Sequence, residues 1–294
     1  MNQTRNTRGI LCIVLSALGF AVMAACVRLC DDFGPAIPCF EKGLFRNLIA
    51  FLIAVAAFAL GKSRKADERN APMTMKAWWI LLLRSAVGTM GIFCNFYALS
   101  HIPIADGQTL NKTAPFFTVV FAWAFLGERV SARQLIAVGV AFAGAALVAK
   151  PGFAGDGAFP LAMGLLGGVA AGAAYAAVRA LGAMKVRPTL IVLFFSAFSC
   201  LAAIPFTWAM YVPLAWKQLL ILAGAGLGAA LGQFGITLAY RFAAPKDIAV
   251  YDYSNIIFTA GLGYLLFGQV SDFLAVAGMV VIVAAAMILN LRKA

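Results

Sequence analysis

The sequence predicts an all-α integral membrane protein with ten transmembrane helices, arranged as two inverted five-helix repeats. Three observations support this fold class. The 294 residues are 63% hydrophobic and 12% charged, and their mean hydropathy is +0.93. Ten apolar runs have the length that a bilayer crossing requires. The second half of the chain repeats the residue pattern of the first half.

The composition identifies the lipid bilayer as the solvent of this chain. A soluble domain is nearer half apolar and a quarter charged, so too little polar surface is present here to coat a water-soluble particle. The net charge of +12 raises the question of nucleic acid. However, the basic residues lie in short connections and form no continuous stripe, so no nucleic-acid partner is expected.

The ten spans follow from the length of the apolar runs. A membrane helix needs about 20 apolar residues at a rise of about 1.5 Å each. The predicted spans run near 9–29, 36–60, 77–99, 104–126, 132–149, 160–182, 189–211, 217–240, 246–267 and 272–291. Among the connections, only 61–76 has the polar, mixed-charge composition of a solvated loop.

Lysine and arginine are distributed unevenly between the two sides of the membrane. If the N-terminus is cytoplasmic, the opposite loops hold little beyond Lys150 and Lys217. The cytoplasmic side then carries Arg5, Arg8, Lys62, Arg64, Lys65, Arg69, Lys76, Arg129, Arg133, Lys185, Arg187, Arg241, Lys246, Arg292 and Lys293. The positive-inside rule therefore predicts a multi-pass protein of the plasma (cell inner) membrane with both termini in the cytoplasm.

Cysteine and histidine give no metal pattern. The six cysteines include no CxxC pair, and most lie within apolar runs, where cysteine behaves as a small hydrophobe. A Cys30–Cys39 disulfide on the outer side is the alternative to free thiols. His101, the single histidine, falls in the outer turn after span three, where a proton-relay role is the alternative to a structural one. No cofactor or metal is expected.

The two halves align at a fixed shift of 141 residues. The matched residues include Asp106 with Asp247, Phe117 with Phe258, Thr118 with Thr259, and Gly127 with Gly268. The repeats are predicted at 1–150 and 151–294. Because each holds an odd number of spans, the second repeat must be upside down relative to the first. Inverted repeats of this kind place a solute site near the bilayer midplane.

Glycines recur every four residues in two spans. Gly164, Gly168 and Gly172 form one ladder, and Gly224, Gly228 and Gly232 form the other. Small residues at this spacing let helix backbones approach closely in lipid. The ladders therefore predict tight helix packing, and a sliding surface is the alternative.

Two stretches resemble a known family. The stretch "FYALSHIPIADGQTLNKTAPFFTVVFAWAFLGERVSARQLIAVGVAFAGAALV" is similar to the first repeat of EamA-type proteins of the drug/metabolite transporter superfamily. "YDYSNIIFTAGLGYLLFG" is similar to the second repeat, which here continues with Gln269 where a glutamate is common. The resemblance implies ten helices, two inverted repeats and movement of small metabolites, often outward.

Polar residues within span four predict an inward-facing stripe. Lys112 lies about eight residues into the span, which is about 12 Å deep. A charge at the bilayer centre costs about 2.5–3.5 kcal/mol, so such residues face protein or water. Gln108, Asn111, Lys112 and Pro115 share one helical face.

Span nine carries a matching stripe of Tyr251, Asp252, Asn255 and Thr259. Asp252 aligns with Asn111 at the repeat shift, so Lys112 and Asp252 enter from opposite sides and are expected to meet near the middle. Two interpretations remain open. Either Lys112 holds a carboxylate or phosphate of a solute and Asp252 an amine or a proton, or the two form a structural ion pair.

Further polar residues are candidates for the site or its gates. Arg84 and Asn95 share a face of span three, although Arg84 also suits a snorkelling position. Tyr175 is a candidate solute-binding residue one turn from Arg179, a candidate gate. Further candidates for gating or coupling are Asp106, Glu41 and Arg46, where Glu41 and a neighbouring base alternatively neutralise each other.

These features predict a secondary transporter that moves a small zwitterionic or anionic metabolite, of the amino acid or organic acid class, by alternating access. Export is the expected direction by resemblance, and the candidate coupling ion is the proton. Uptake of a nucleoside-like or vitamin-like solute is the alternative. A membrane enzyme is less consistent with the sequence, because it has no HExxH or GxSxG motif. A channel and a structural subunit are the other rivals.

Overall fold

The computed structural model describes residues 2–59, 73–127, 130–149, 158–186, 188–242 and 249–290. The regular secondary structure of these residues is helical. Short 3₁₀ helices cover Cys30–Phe33 and Ala249–Tyr253. The α-helices are α1 (Asn2–Leu29), α2 (Cys39–Ala59), α3 (Met75–His101), α4 (Ile104–Asn111), α5 (Ala114–Leu126), α6 (Ala132–Ala149), α7 (Ala158–Ala183), α8 (Pro188–Ala209), α9 (Trp216–Phe242), α10 (Ser254–Phe267) and α11 (Phe273–Asn290). Most of the predicted 61–76 loop, and Asp247, lie outside the described residues.

Each predicted span is mostly helical over the residues that the structure describes, although residues 36–38, 112–113, 210–211 and 272 are not in helices. Five segments are both long and apolar enough to cross a membrane, namely Thr7–Phe33, Met75–His101, Ala158–Ala183, Leu190–Ala209 and Trp216–Gly235. The shorter apolar helices include Leu135–Val148 and Phe273–Ala285. An all-α, multi-pass architecture is therefore confirmed, while the count of ten crossings stays a prediction.

The expectation of one continuous helix in span four is wrong. Helix α4 ends at Asn111 and α5 begins at Ala114, with Pro115 in its first turn. Proline has no N–H to donate and its ring clashes with the carbonyl four residues earlier, so the α-helix is interrupted there. The Thr113 Oγ1 atom donates to the Leu110 carbonyl at 2.6 Å, which satisfies one of the released backbone groups. Lys112 therefore lies at a helix break.

Span nine is interrupted at the corresponding place. Its 3₁₀ helix ends at Tyr253, and α10 begins at Ser254. Both broken spans end in the same way, because Gly127 and Gly268 adopt left-handed conformations with φ of 65° and 61°. Only glycine takes up this conformation readily, and it is the common residue just after a helix C-terminus. The matched glycines of the sequence thus have matched structural roles.

The helices pack into two groups that each mix the two halves of the sequence. In the first bundle, α1 packs along α9 and α10, and α2 packs along α9. In the second bundle, α7 packs along α3, α4 and α5, and α8 packs along α3. The two bundles meet where α2 contacts α8 and where α4 contacts α10, while α6 and α11 pack together beside them.

Glycines bring the helix backbones into direct contact within each bundle. A Cβ atom added to Gly228 would lie 2.8 Å from the Gly19 carbonyl oxygen, and one added to Gly172 would lie 2.5 Å from Phe117 Cβ. Gly224 is less crowded, since its added Cβ would meet only Cys26 Sγ at 3.5 Å. Close helix contact is therefore confirmed for both ladders, with Gly224 as the looser member.

Replacement of Gly228 by leucine is expected to destabilise the first bundle. The side chain would be forced against the backbone of α1, and overpacking of this kind costs about 1–3 kcal/mol. We expect a lower melting temperature and reduced monodispersity in detergent, measured by size-exclusion chromatography after heating. The control is Gly139→Leu on α6, because a Cβ at Gly139 meets nothing within 4 Å. Equal behaviour of the two variants would contradict the close-contact interpretation.

Candidate functional site

The two helix breaks are joined by an ion pair. Lys112 Nζ donates to Asp252 Oδ2 at 2.6 Å, and the two side chains are 12% and 19% exposed. The Tyr253 hydroxyl donates to the Lys112 carbonyl oxygen at 3.4 Å. The expectation that Lys112 and Asp252 meet is therefore confirmed, and the pair connects the second bundle to the first. The second carboxylate oxygen, Asp252 Oδ1, is buried without a hydrogen-bond partner.

The predicted tyrosine of span nine is not the one that reaches the ion pair. Tyr251 is 44% exposed, whereas Tyr253 is buried against Lys112. The polar stripe predicted for span nine assumes the angular spacing of an α-helix. This segment is instead a 3₁₀ helix, which has three residues per turn and therefore a different angular spacing. The sequence prediction missed Tyr253 for this reason.

Buried or partly buried amide side chains lie at the two breaks and on α3. Gln108 is buried on α4, and Asn111 is partly buried directly before Lys112. Asn255 is fully buried; its Nδ2 donates to the Ala17 carbonyl of α1 at 2.8 Å, while its Oδ1 is left without a partner. Asn95 on α3 is buried and its Nδ2 has no partner. Unsatisfied buried amides are costly, so these groups mark places where a polar ligand or water is needed.

A second polar cluster joins α2, α3 and α7. The Tyr175 hydroxyl interacts electrostatically with Arg84, Arg46 and Asp252, which places all four groups around one region. Tyr175 itself is 55% exposed. The guanidinium of Arg84 lies 3.7 Å above the Phe195 ring of α8, a cation–π contact. Arg84 therefore points into the protein rather than snorkelling.

The remaining candidates lie away from the ion pair. Asp106 is buried in the first turn of α4 and accepts a hydrogen bond from Ser271 Oγ at 3.0 Å. Gln269 Oε1 accepts from the Ile104 amide at 3.1 Å, so this residue from the second half of the chain caps the start of α4. Arg179 is exposed near the end of α7. The gating roles expected of Asp106 and Arg179 stay predictions.

Comparison with known proteins identifies the family. Residues 7–150 match the EamA-like transporter family. The pseudopaline exporter CntI of Pseudomonas aeruginosa strain UCBPP-PA14 is 34% identical over 97% of this chain and 96% of that protein. The chain belongs to the EamA-like transporter family. The resemblance to the drug/metabolite transporter superfamily is thereby confirmed, and the protein is a membrane transporter.

Other relatives of this EamA-like transporter are more distant. A riboflavin transporter of Vibrio cholerae serotype O1 is 28% identical over 90% of this chain and 86% of that protein. An uncharacterized transporter of Helicobacter pylori strain 26695 is 24% identical over 96% of this chain. A solved crystal structure superimposes with a TM-score of 0.63 at 16% identity, covering 94% of this chain and 95% of that chain, which shows a shared fold.

In this EamA-like transporter, a polar network closes the end that carries residues 30–38, here called the 30–38 end. Lys42 is fully buried, and its Nζ donates to Asp31 Oδ2 and to Ser100 Oγ at 2.5 Å each. Arg28 donates to the Ser100 carbonyl oxygen. Because Lys42 and Arg28 belong to the first bundle and Ser100 to the second, these bonds hold the two bundles together.

The neutralisation expected between Glu41 and a neighbouring base is wrong. Among the described residues, the ion pairs do not include Glu41, and Asp31 is the partner of Lys42. The Glu41 carboxylate instead lies near the Val212 backbone amide, and its Oε2 is buried without a hydrogen-bond partner. Cys30 and Cys39, the other pair considered for this end, are free thiols.

Three aromatic rings also connect the two bundles. Phe40 of α2 stacks on Phe206 of α8 with ring centroids 4.7 Å apart, and it meets Phe93 of α3 edge-on at 4.9 Å. Phe40 belongs to the first bundle and the other two rings to the second. These ring contacts therefore join the two bundles where α2, α3 and α8 meet.

Proposed function

We propose that this chain is a secondary transporter that exports a small zwitterionic or anionic metabolite, of the amino acid or organic acid class, by alternating access. The observation that carries the proposal is the Lys112–Asp252 ion pair, which joins two interrupted helices from opposite bundles. Interrupted helices at membrane depth are typical of transporter sites, because their unpaired backbone groups line a cavity. The exporter among the relatives supports the outward direction.

The inverted-repeat arrangement at 1–150 and 151–294 is part of this proposal. Exchanging the two halves turns the α1–α9 contact into the α7–α3 contact, and it leaves the α2–α8 and α6–α11 contacts in place. A two-fold relation between halves produces this pattern of contacts. The matched left-handed glycines at 127 and 268 support the same relation.

In this mechanism, Lys112 and Asp252 pair when the site is empty and separate when solute enters. A solute carboxylate then takes Lys112, and a solute ammonium or a proton takes Asp252, with Gln108, Asn111 and Asn255 providing hydrogen bonds. The other candidate proton carriers are Asp106 and Glu41. The two termini face the cytoplasm, and the 30–38 end faces outward, as the lysine and arginine distribution indicates.

The alternative function is uptake of a vitamin-like or nucleoside-like solute. The observation that favours it is the 28% identity to a riboflavin transporter over most of this chain. A flat ring system would require aromatic contacts in the site, and Tyr175 and Phe195 supply two aromatic side chains at the arginine cluster. Direction and solute are therefore tested together.

The test is flux through the purified protein in liposomes. Labelled amino acids, organic acids and riboflavin would be offered, and everted membrane vesicles would establish the direction. We expect saturable, ATP-independent movement of a zwitterionic or anionic solute, with accumulation inside everted vesicles. Riboflavin accumulation in right-side-out vesicles would favour the alternative. Absence of flux for every solute, or single-channel currents, would overturn the secondary-transporter proposal.

A further inference from the structure

Two arginines lie inside the helix bundle without an acidic partner. Arg46 comes from α2 and Arg84 from α3, and the ion pairs among the described residues include neither. The side chain of Arg46 donates to Asn47 Oδ1 at 3.0 Å. Three of their donor atoms, Arg46 Nε, Arg84 Nε and Arg84 Nη1, are buried without a hydrogen-bond acceptor.

The two guanidinium groups converge on one region. Arg46 and Arg84 lie on α2 and α3, which contact each other, and α3 packs along α7, which carries Tyr175. Both guanidinium groups are close enough to Tyr175 for an electrostatic interaction. A Cβ added to Gly88 would lie 3.3 Å from Arg84 Nη1 and 3.6 Å from Ala174 Cβ, so the Arg84 guanidinium lies near the turn of α7 that carries Tyr175. The Phe195 ring covers Arg84 from the α8 side.

This arrangement is costly unless an anion binds there. A charge in the bilayer centre costs about 2.5–3.5 kcal/mol, and unsatisfied donors and like-charge repulsion add to that cost. Lys112 does not contribute to the excess charge, because Asp252 neutralises it. Two positive charges from Arg46 and Arg84 therefore remain uncompensated within one region.

We propose that Arg46 and Arg84 form an anion site that selects a small organic solute with two carboxylate groups. The planar guanidinium fork matches the geometry of a carboxylate in a bidentate contact, so two forks suit two carboxylates. This inference rests on the proposed function and names the solute class of the same interior. Because Arg46 belongs to the first bundle and Arg84 to the second, a dicarboxylate bound to both connects the moving parts.

Matched acids and amides test the selectivity directly. Purified protein in detergent would be titrated with glutamate against glutamine, with aspartate against asparagine, and with unbranched dicarboxylates from succinate to adipate. Binding would be measured by thermal stabilisation and calorimetry. We expect at least one dicarboxylate to bind about 10-fold or more tightly than its amide counterpart, because hydrogen bonds between charged groups are the stronger ones.

Variants assign that selectivity to the two arginines. Arg46→Gln and Arg84→Gln are each expected to weaken dicarboxylate binding by about 10-fold or more, and Arg84→Lys by less, because lysine keeps the charge and loses the fork. Arg133→Gln is the matched control, since Arg133 is exposed on α6, outside both bundles. Elution profiles would confirm that each variant is folded.

Each outcome decides the proposal. Equal affinity for acids and amides, no binding of any of these probes, or unchanged binding in both glutamine variants would overturn the anion site. Flux in liposomes decides the proposed function separately. Transport of a monocarboxylate that is unchanged in Arg46→Gln and Arg84→Gln would keep the transporter and reject the site. Dicarboxylate binding in detergent without any flux in liposomes would support the anion site and reject the transporter function.

Discussion

Removal of either charge of the Lys112–Asp252 pair is expected to destabilise the protein, whereas removal of both restores stability without restoring transport. A single change leaves one largely buried charge without its partner, which costs about 3–5 kcal/mol. Replacing both charges removes the desolvation penalty together with the attraction, and such replacements are often neutral. Solute binding, however, needs Lys112 and Asp252 themselves.

The variants for this test are Lys112→Met, Asp252→Asn and the double variant, with Lys217→Met as the control. Lys217 is an exposed lysine near the start of α9, so its removal changes the net charge equally without affecting the pair. Melting temperature in detergent and flux in liposomes would be measured for each. The single variants should melt lowest, and all three should lose flux to the level of protein-free liposomes.

The double variant separates the two interpretations of the ion pair. If the pair only holds the bundles together, a stable double variant transports at the rate of the parent protein. If the pair forms the solute cradle, the same stable variant is inactive. A stable, fully active double variant would therefore reject the solute-binding roles of Lys112 and Asp252.

The Lys112–Asp252 pair was predictable from the sequence, because the free-energy cost of a charge within an apolar run is evident from the run itself. A lysine about eight residues into an apolar run must face protein or water. The shift of 141 residues aligns Asp252 with Asn111, the neighbour of Lys112. Tyr253 was not predictable in the same way, since the stripe assumed α-helical spacing over residues that form a 3₁₀ helix. Likewise, the helical face shared by Gln108, Lys112 and Pro115 assumes one continuous helix, whereas α4 ends at Asn111 and α5 begins at Ala114.

The hydrogen-bond partners at the 30–38 end could not be predicted from the sequence, for a different reason. Glu41 is the acid nearest to Lys42 in sequence, but adjacent residues of a helix do not face each other. Asp31 reaches Lys42 because the chain reverses between α1 and α2, and Asp31 Oδ1 also accepts the Ile37 amide at 3.0 Å. Contacts of this kind depend on the loop geometry, which residue spacing does not encode.

The arginine cluster depends on contacts between helices that are distant in sequence. Arg46, Arg84 and Tyr175 belong to α2, α3 and α7, and each alone also suited a gating or snorkelling role. Their convergence follows from the packing of α3 on α7 and of α2 near α3. The sequence therefore identified two of these residues as solute-binding candidates, whereas the structure brings all three to one region.

A covalent link between the bundles at the 30–38 end is expected to stop transport, and a link within one bundle is not. Alternating access requires the contact between Phe40 and Phe206 to open, since these rings belong to different bundles. By contrast, α3 and α8 lie in the same bundle, where Thr89 Oγ1 and Ser199 Oγ are 2.6 Å apart. Rigid-body rocking leaves the α3–α8 contact unchanged.

The background for this test replaces the six native cysteines, which are Cys12, Cys26, Cys30, Cys39, Cys94 and Cys200. Phe40→Cys with Phe206→Cys would be bridged by a short reducible bifunctional thiol reagent. The Thr89→Cys/Ser199→Cys variant would be oxidised directly to a disulfide. The native Thr89 Oγ1 and Ser199 Oγ atoms are 2.6 Å apart, so sulfur atoms at these positions would be close enough to bond. Flux in liposomes would be compared before linking, after linking and after reduction.

Each cysteine variant is compared with itself before linking, after linking and after reduction, so the effect of the substitutions cancels. Linked Phe40→Cys/Phe206→Cys protein should show no flux above protein-free liposomes, and reduction should restore it to the level of the unlinked sample. Linked Thr89→Cys/Ser199→Cys protein should transport at the rate of its reduced form. If the α2–α8 link left flux unchanged, the bundles would not separate at this end. If the α3–α8 link abolished it, α3 and α8 would move apart during transport, and the second bundle would not be a rigid unit.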